Sequence, residues 1–252
     1  MRHLIAALIL SAATPVWAGT VSLTTSDSTT IAAHTWGEGD KGVVLVHGAN
    51  ESAESWAYFA DRLATRGFHV IAVDLRGHGA SADAATLSSE TWPKMVEDIH
   101  AASAWLRENG ASSVHLVGAE VGANLVVHAG ASDEAVTDIA LLSPGMNLEG
   151  IASPTMMETY GDRPSLIVSS TGDGYGARSA GILESKAQGR VYVEMLDGDA
   201  KGVRLLTRDP QLEGKLIAWL NGTYDLDGQR ASRTVTTEAG EDVETSGVRF
   251  GD

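Results

Sequence analysis

The chain has 252 residues, 43% of them hydrophobic and 20% charged, enough to bury the core of one α/β domain. A formal net charge of −15 argues against a nucleic-acid surface, because phosphates repel it, and suits anionic membranes poorly. With no cysteine anywhere, thiol catalysis, thiolate metal sites and disulfide staples are excluded.

The first eighteen residues stand apart. Met1-Arg2-His3 is a short basic start, residues 4–13 are an apolar run too short to span a bilayer, and Val16-Trp17-Ala18 places small or aliphatic side chains where signal peptidase needs them. This pattern predicts a secretory signal over 1–18, cut after Ala18, and export to a periplasm or the exterior. No later stretch is apolar for long enough to cross a membrane, so no transmembrane segment is expected in the mature chain.

From residue 21 onward, strand and helix signals alternate. Residues 21–25 and 30–36 flank a Ser26-Asp27-Ser28 turn and predict an opening hairpin. Short apolar runs lie at 43–47, 68–74, 114–118, 139–143, 166–170 and 191–195, and several are apolar at nearly every position, as in parallel strands buried on both faces. Helices are predicted over 53–66, with Ser52 as a cap, and over 89–109, where one apolar stripe ends at Asn109-Gly110. Two more are expected over 121–129 and around Leu212, Leu216 and Leu220. The domain is therefore read as 19–222, with helices on both faces of a mainly parallel sheet. Residues 223–252 are polar and acidic, and are read as a disordered tail or, over 234–237 and 243–250, a hairpin.

Three segments carry a family resemblance. Val43 to Asn50 is a buried strand running into His47-Gly48. Val70 to Ser81 is a strand running into the loop Asp74-Leu75-Arg76-Gly77-His78-Gly79. Val114 to Ala123 is a strand turning sharply into a helix through Gly118-Ala119-Glu120-Val121-Gly122. In order and spacing these resemble the α/β-hydrolase family of serine esterases and peptidases. The resemblance implies that fold, with a sheet of about eight strands. Only one short helix and loops fit between 143 and 166, so no large lid is expected.

The same resemblance assigns the site. The family's nucleophile elbow is Gly-x-Ser-x-Gly; here Gly118 and Gly122 remain, and Glu120 replaces the serine. Asp173 falls at the family's acid position, and Lys201 in Gly198-Asp199-Ala200-Lys201-Gly202 takes the place of the histidine. The backbone N–H groups of Ala49 and Val121 would form the oxyanion hole, with His47, Gly48 and Asn50 shaping the pocket. The last histidine in the chain is His128, before the acid, so none can serve third in the order nucleophile, acid, histidine. A lysine starts far above the neutral pKa that proton relay needs. His115, on a buried strand, reads as a satisfied core histidine, and no cluster has metal-ligand spacing.

These readings predict an exported, non-catalytic homologue acting in binding, needing no cofactor or metal, with a small molecule or an envelope protein as partner. The alternative is an active hydrolase of esterase or peptidase type using Glu120, Asp173 and Lys201. Glu120, Lys201 and Asp173 are expected to form one ion-paired cluster, with the Glu120 carboxylate turned onto the N–H groups of Ala49 and Val121.

Overall fold

The computed structural model describes residues 19–224. The signal reading of 1–18 and the tail reading beyond residue 224 lie outside them. The opening hairpin forms as expected: β1 (Gly19–Thr24) pairs antiparallel with β2 (Thr30–Trp36), turning through Ser28 at φ 65°. Then come β3 (Lys41–Val46), β4 (Phe68–Val73), β5 (Ser113–Ala119), β6 (Val136–Leu142), β9 (Ser165–Ser170) and β10 (Val191–Leu196). Together they make one eight-stranded sheet in the order β1-β2-β4-β3-β5-β6-β9-β10. Only the β1–β2 and β2–β4 pairings are antiparallel.

The uninterrupted apolar runs follow from cores on both faces. On β3, Val44 and Val46 face one hydrophobic cluster while Val43 and Leu45 face the other. The first cluster is covered by α2 (Val96–Glu108), α3 (Val121–Ser132), α4 (Pro154–Thr159) and α5 (Gly174–Lys186). The second is covered by α1 (Ala57–Ala64), α6 (Arg204–Arg208) and α7 (Pro210–Leu220).

Three local expectations are corrected. The segment expected to be helical from 53 opens as a 3₁₀ turn, Ala53–Trp56, and Ser52 makes no cap bond; the Ala53 N–H is taken instead by Asp74 Oδ1 at 2.8 Å. The long helix begins at Val96 rather than near 89, because Pro93 holds Trp92–Met95 in a separate 3₁₀ turn. Helix α5 was not anticipated from its glycine-rich sequence. It forms because Asp173 caps it, accepting from the Gly176 N–H at 3.1 Å, and because Ala180 and Leu183 are buried.

Between β6 and β9 the chain makes a two-stranded ladder, β7 (Asn147–Leu148) with β8 (Ile151–Ala152), and the short α4. Asn124 on α3 pins this segment: its Nδ2 donates to the Ile151 carbonyl at 2.7 Å, and its Oδ1 accepts from the Gly145 N–H at 2.9 Å. Among the described residues no large lid covers the carboxyl edge of the sheet.

The turn from β5 into α3 is the tightest point of the fold. A Cβ on Gly118 would overlap the Gly122 carbonyl, and a Cβ on Gly122 would overlap the carbonyls of Val46 and His47. Gly122→Ala should therefore lower the urea midpoint by the equivalent of about 2 kcal/mol or more, since the clash is with backbone. Gly181→Ala, in the interior of α5 with nothing within 4 Å of the added methyl, should raise stability by about 0.5–1 kcal/mol. Urea denaturation of both variants checks the opposite signs.

Candidate active site

Glu120 sits at the apex of that turn with φ 52° and ψ −118°, a backbone conformation costing a non-glycine residue on the order of 1–3 kcal/mol. The strain is held on both sides. The Glu120 N–H donates to the Leu142 carbonyl at 2.8 Å, and its carbonyl accepts from the Ala123 N–H at 3.0 Å. The result is the strand–turn–helix elbow expected from the sequence, projecting residue 120 from the carboxyl edge of the sheet.

Its side chain lies in a slot between two glycines. A Cβ on Gly48 would come within 2.7 Å of Glu120 Oε2, and one on Gly202 within 3.1 Å of Glu120 Cγ. Glu51, not foreseen from the sequence, approaches the same point: its Oε2 accepts from the Gly48 N–H at 3.2 Å. Burial raises the Glu120 pKa, and the Glu51 carboxylate adds to the rise, so Glu120 holds its proton more tightly than an ordinary glutamate.

Asp173 and Lys201 meet as expected, with Nζ 2.8 Å from Oδ1. The Asp173 side chain is 5% exposed and the Lys201 side chain 42%. The predicted three-membered cluster does not form. Among the described residues no cation lies within ion-pair distance of Glu120, because Asp173, fixed as the α5 cap, draws the ammonium to itself. The cation that most favours the ionised form of Glu120 is Arg204, ahead of Lys201. Arg204 was missed in the sequence; its one signal was the Arg204–Arg208 spacing just after the Lys201 loop.

The predicted plugging of the oxyanion donors does not occur either. The Ala49 and Val121 N–H groups have no hydrogen-bond partner among the described residues, and the Glu120 carboxyl lies against Gly48 instead. Ala49, Asn50, Glu120, Val121, Asp173 and Lys201 line one pocket of about 200 Å³, to which Ser143, Leu148, Glu149 and Tyr175 also contribute.

The two loop histidines are structural. His47 Nε2 accepts from the Leu75 N–H at 3.2 Å, which leaves Nδ1–H to donate to the Gly48 carbonyl at 2.7 Å. Burial pushes its pKa down to about 4, so it stays neutral. His78 Nε2–H donates to the Ala49 carbonyl at 2.8 Å and so fixes the Ala49–Asn50 peptide, while His47 holds the preceding one through the Gly48 carbonyl. His115 Nδ1 bonds Asp138 Oδ2 at 2.8 Å, far from the pocket, as a satisfied core histidine should. Among the described residues no group of three carboxylate or imidazole ligands is placed to hold a metal. Nor is any helix among them long and apolar enough to cross a membrane.

Comparison with known proteins gives the class. The family described as serine aminopeptidase, S33, matches residues 37–225, and the chain belongs to this family of α/β hydrolases. It is 42% identical over 65 residues to a pimeloyl-[acyl-carrier protein] methyl ester esterase of Sodalis glossinidius (strain morsitans). That match spans 26% of this chain and only 24% of the relative. An esterase from Pyrococcus furiosus superposes with a TM-score of 0.66 at 18% identity, covering 81% of this chain and 91% of its own. The esterase domain of a Rhodothermus marinus protein does so at 0.64 and 18%, covering 80% and 96%. At those identities the likeness is one of fold.

The raised Glu120 pKa has a stability consequence. An unfolded glutamate ionises near pH 4.3, whereas the folded one keeps its proton to higher pH. The native state therefore binds more protons, and this residue's contribution to stability falls as pH rises through that interval. Glu120→Gln should melt higher than the parent at pH 7, and the difference should vanish near pH 4. Thermal melts of both proteins across that range check it.

Proposed function

We propose that the protein is an exported, non-catalytic member of its family that binds a small molecule bearing a carbonyl or carboxylate oxygen in the pocket above Glu120. The observation that carries this reading is the pair of unpartnered N–H groups at Ala49 and Val121, both on the wall of that pocket. Such donors are worth most to a ligand oxygen in a site sheltered from water. Leu148 offers an apolar surface beside them, and a second pocket sharing Ala49, Asn50 and Glu149 continues toward Leu87 and Trp92, which suits a ligand with an extended apolar part.

The loss of chemistry rests on the side chains. Burial and the Glu51 carboxylate raise the Glu120 pKa and so disfavour the ionised form that a nucleophile needs. Lys201 points its ammonium at the Asp173 carboxylate, 2.8 Å away, and an ammonium has no lone pair with which to accept a proton. The chain has no histidine beyond His128 to take over. The rival reading, an esterase or peptidase working through Glu120, Asp173 and Lys201, needs both an ionised Glu120 and a neutral Lys201. Export rests on the leader pattern of residues 1–18. An envelope protein could reach the same open pocket.

An amide-resolved NMR titration with a medium-chain carboxylate and its methyl ester tests the reading. The Ala49 and Val121 amide signals should move with either ligand, and the ester should stay intact. Unmoved amides, or ester cleavage that disappears in Glu120→Gln, would sink it.

A further inference from the structure

The chain carries 33 acidic and 18 basic side chains, so most cations should find a carboxylate. Arg62, Arg76, Arg107, Lys186, Lys201 and Lys215 each do. Arg204 and Arg208 do not: among the described residues neither has a carboxylate within 4.0 Å. Yet the two stand one helical turn apart, both exposed, and share the wall of a pocket of about 310 Å³ with Asp199, Ala200 and Thr207. Among the described residues Lys41, Lys94, Arg163 and Arg178 also lack a carboxylate partner, but Lys41 bonds Asn221, Arg163 bonds backbone carbonyls, and none of the four lines a pocket with a second unpaired cation.

The platform under the two arginines is rigid. Leu205, between them, is fully buried. The loop leading into α6 is strapped at four points: the Thr171 N–H to the Leu196 carbonyl at 2.9 Å, the Gly172 N–H to the Gly198 carbonyl at 2.7 Å, the Ser170 hydroxyl to the Ala200 carbonyl at 2.8 Å, and the Gly202 N–H to the Ser143 hydroxyl at 3.0 Å. Residues one turn apart on a helix have Cβ atoms about 5–6 Å apart, so two guanidinium forks can converge on one tetrahedral oxyanion. Each fork can give such an anion two parallel charge-assisted hydrogen bonds.

We propose that the Arg204–Arg208 pocket is an anion subsite that takes a phosphate group, free or as the head of a phosphomonoester. Asp199, on the same wall, selects for a phosphate that carries a proton, hydrogen phosphate or a phosphomonoester below about pH 6, because its carboxylate accepts a bond from that proton and repels an oxyanion without one. The subsite does not depend on the pocket above Glu120 being non-catalytic. The two are coupled all the same: Arg204 helps keep Glu120 ionised, and an anion on Arg204 cancels that help. Phosphate should therefore raise the pH at which Glu120 loses its proton.

Calorimetric titration of the full chain at about pH 5.5, where inorganic and phenyl phosphate both carry a proton and sulfate does not, tests this, with sedimentation on vesicles of phosphatidic acid or phosphatidylcholine. Phosphate should bind. Arg204→Gln and Arg208→Gln should each weaken it about tenfold, equivalent to about 1.4 kcal/mol. Lys94→Gln, which removes a charge elsewhere, should leave it unchanged. Matched binding of inorganic and phenyl phosphate marks a soluble ligand; sedimentation with phosphatidic acid alone, lost in the double arginine variant, marks a lipid headgroup. An NMR titration of the Glu120 side-chain carbonyl should show its midpoint moving up with phosphate. Binding that ignores both arginine substitutions, equal binding of sulfate, or no binding of any probe overturns the proposal.

Discussion

The structure depends on one close approach. The backbone of α3 passes so near the end of β3 that Gly122 has the carbonyls of Val46 and His47 where a side chain would start, and Gly118 faces the Gly122 carbonyl in the same way. Two glycines permit that contact, and the contact forces residue 120 into a positive φ. From there its side chain can only project over the carboxyl edge of the sheet. The Ala49 and Val121 N–H groups are placed by the same geometry, since Val121 opens α3 and the peptide carrying the Ala49 N–H is held by His47 through the Gly48 carbonyl. A chain that keeps this approach keeps the site's frame whatever stands at its apex.

What stands there changes the electrostatics. A serine would be neutral; Glu120 brings a carboxyl into a half-buried slot beside Glu51, and both burial and that neighbour raise its pKa. Asp173 keeps its structural duty as the α5 cap and holds the Lys201 ammonium. The three positions are thus divided into a carboxyl whose ionised form is disfavoured and an ion pair to which it does not belong. Among the described residues the N–H groups of Ala49 and Val121 have no hydrogen-bond partner.

Much of this was legible in the sequence, and the reasons differ by residue. The elbow was legible because its sterics demand glycine at 118 and 122. The parallel sheet was legible because strands with a core on both faces cannot hide their apolar runs. The Asp173–Lys201 pair was legible through order along the chain. The rest turned on distances that spacing does not carry. Glu51 approaches Glu120 only because the turn after Gly48 brings it back, and Arg204 is aimed by the strapped loop before α6. The expected three-way cluster failed because capping of α5, a local bond invisible in a family pattern, settles which way Asp173 and hence Lys201 turn. Helix α5 itself was obscured by Gly174, Gly176 and Gly181, whose poor helix propensity is overridden by the cap and by tertiary packing.

The central claim is that the residue in the nucleophile's place does no chemistry. Single-turnover exposure of the protein to an activated ester in oxygen-18 water, followed by mass spectrometry of the peptide holding Glu120, tests it most directly. The account predicts no acyl adduct and no heavy oxygen on Glu120, with the ester decaying as in buffer alone. An acylated intermediate at Glu120, or heavy oxygen retained in its carboxyl after turnover, would show it attacking the substrate and would contradict the account.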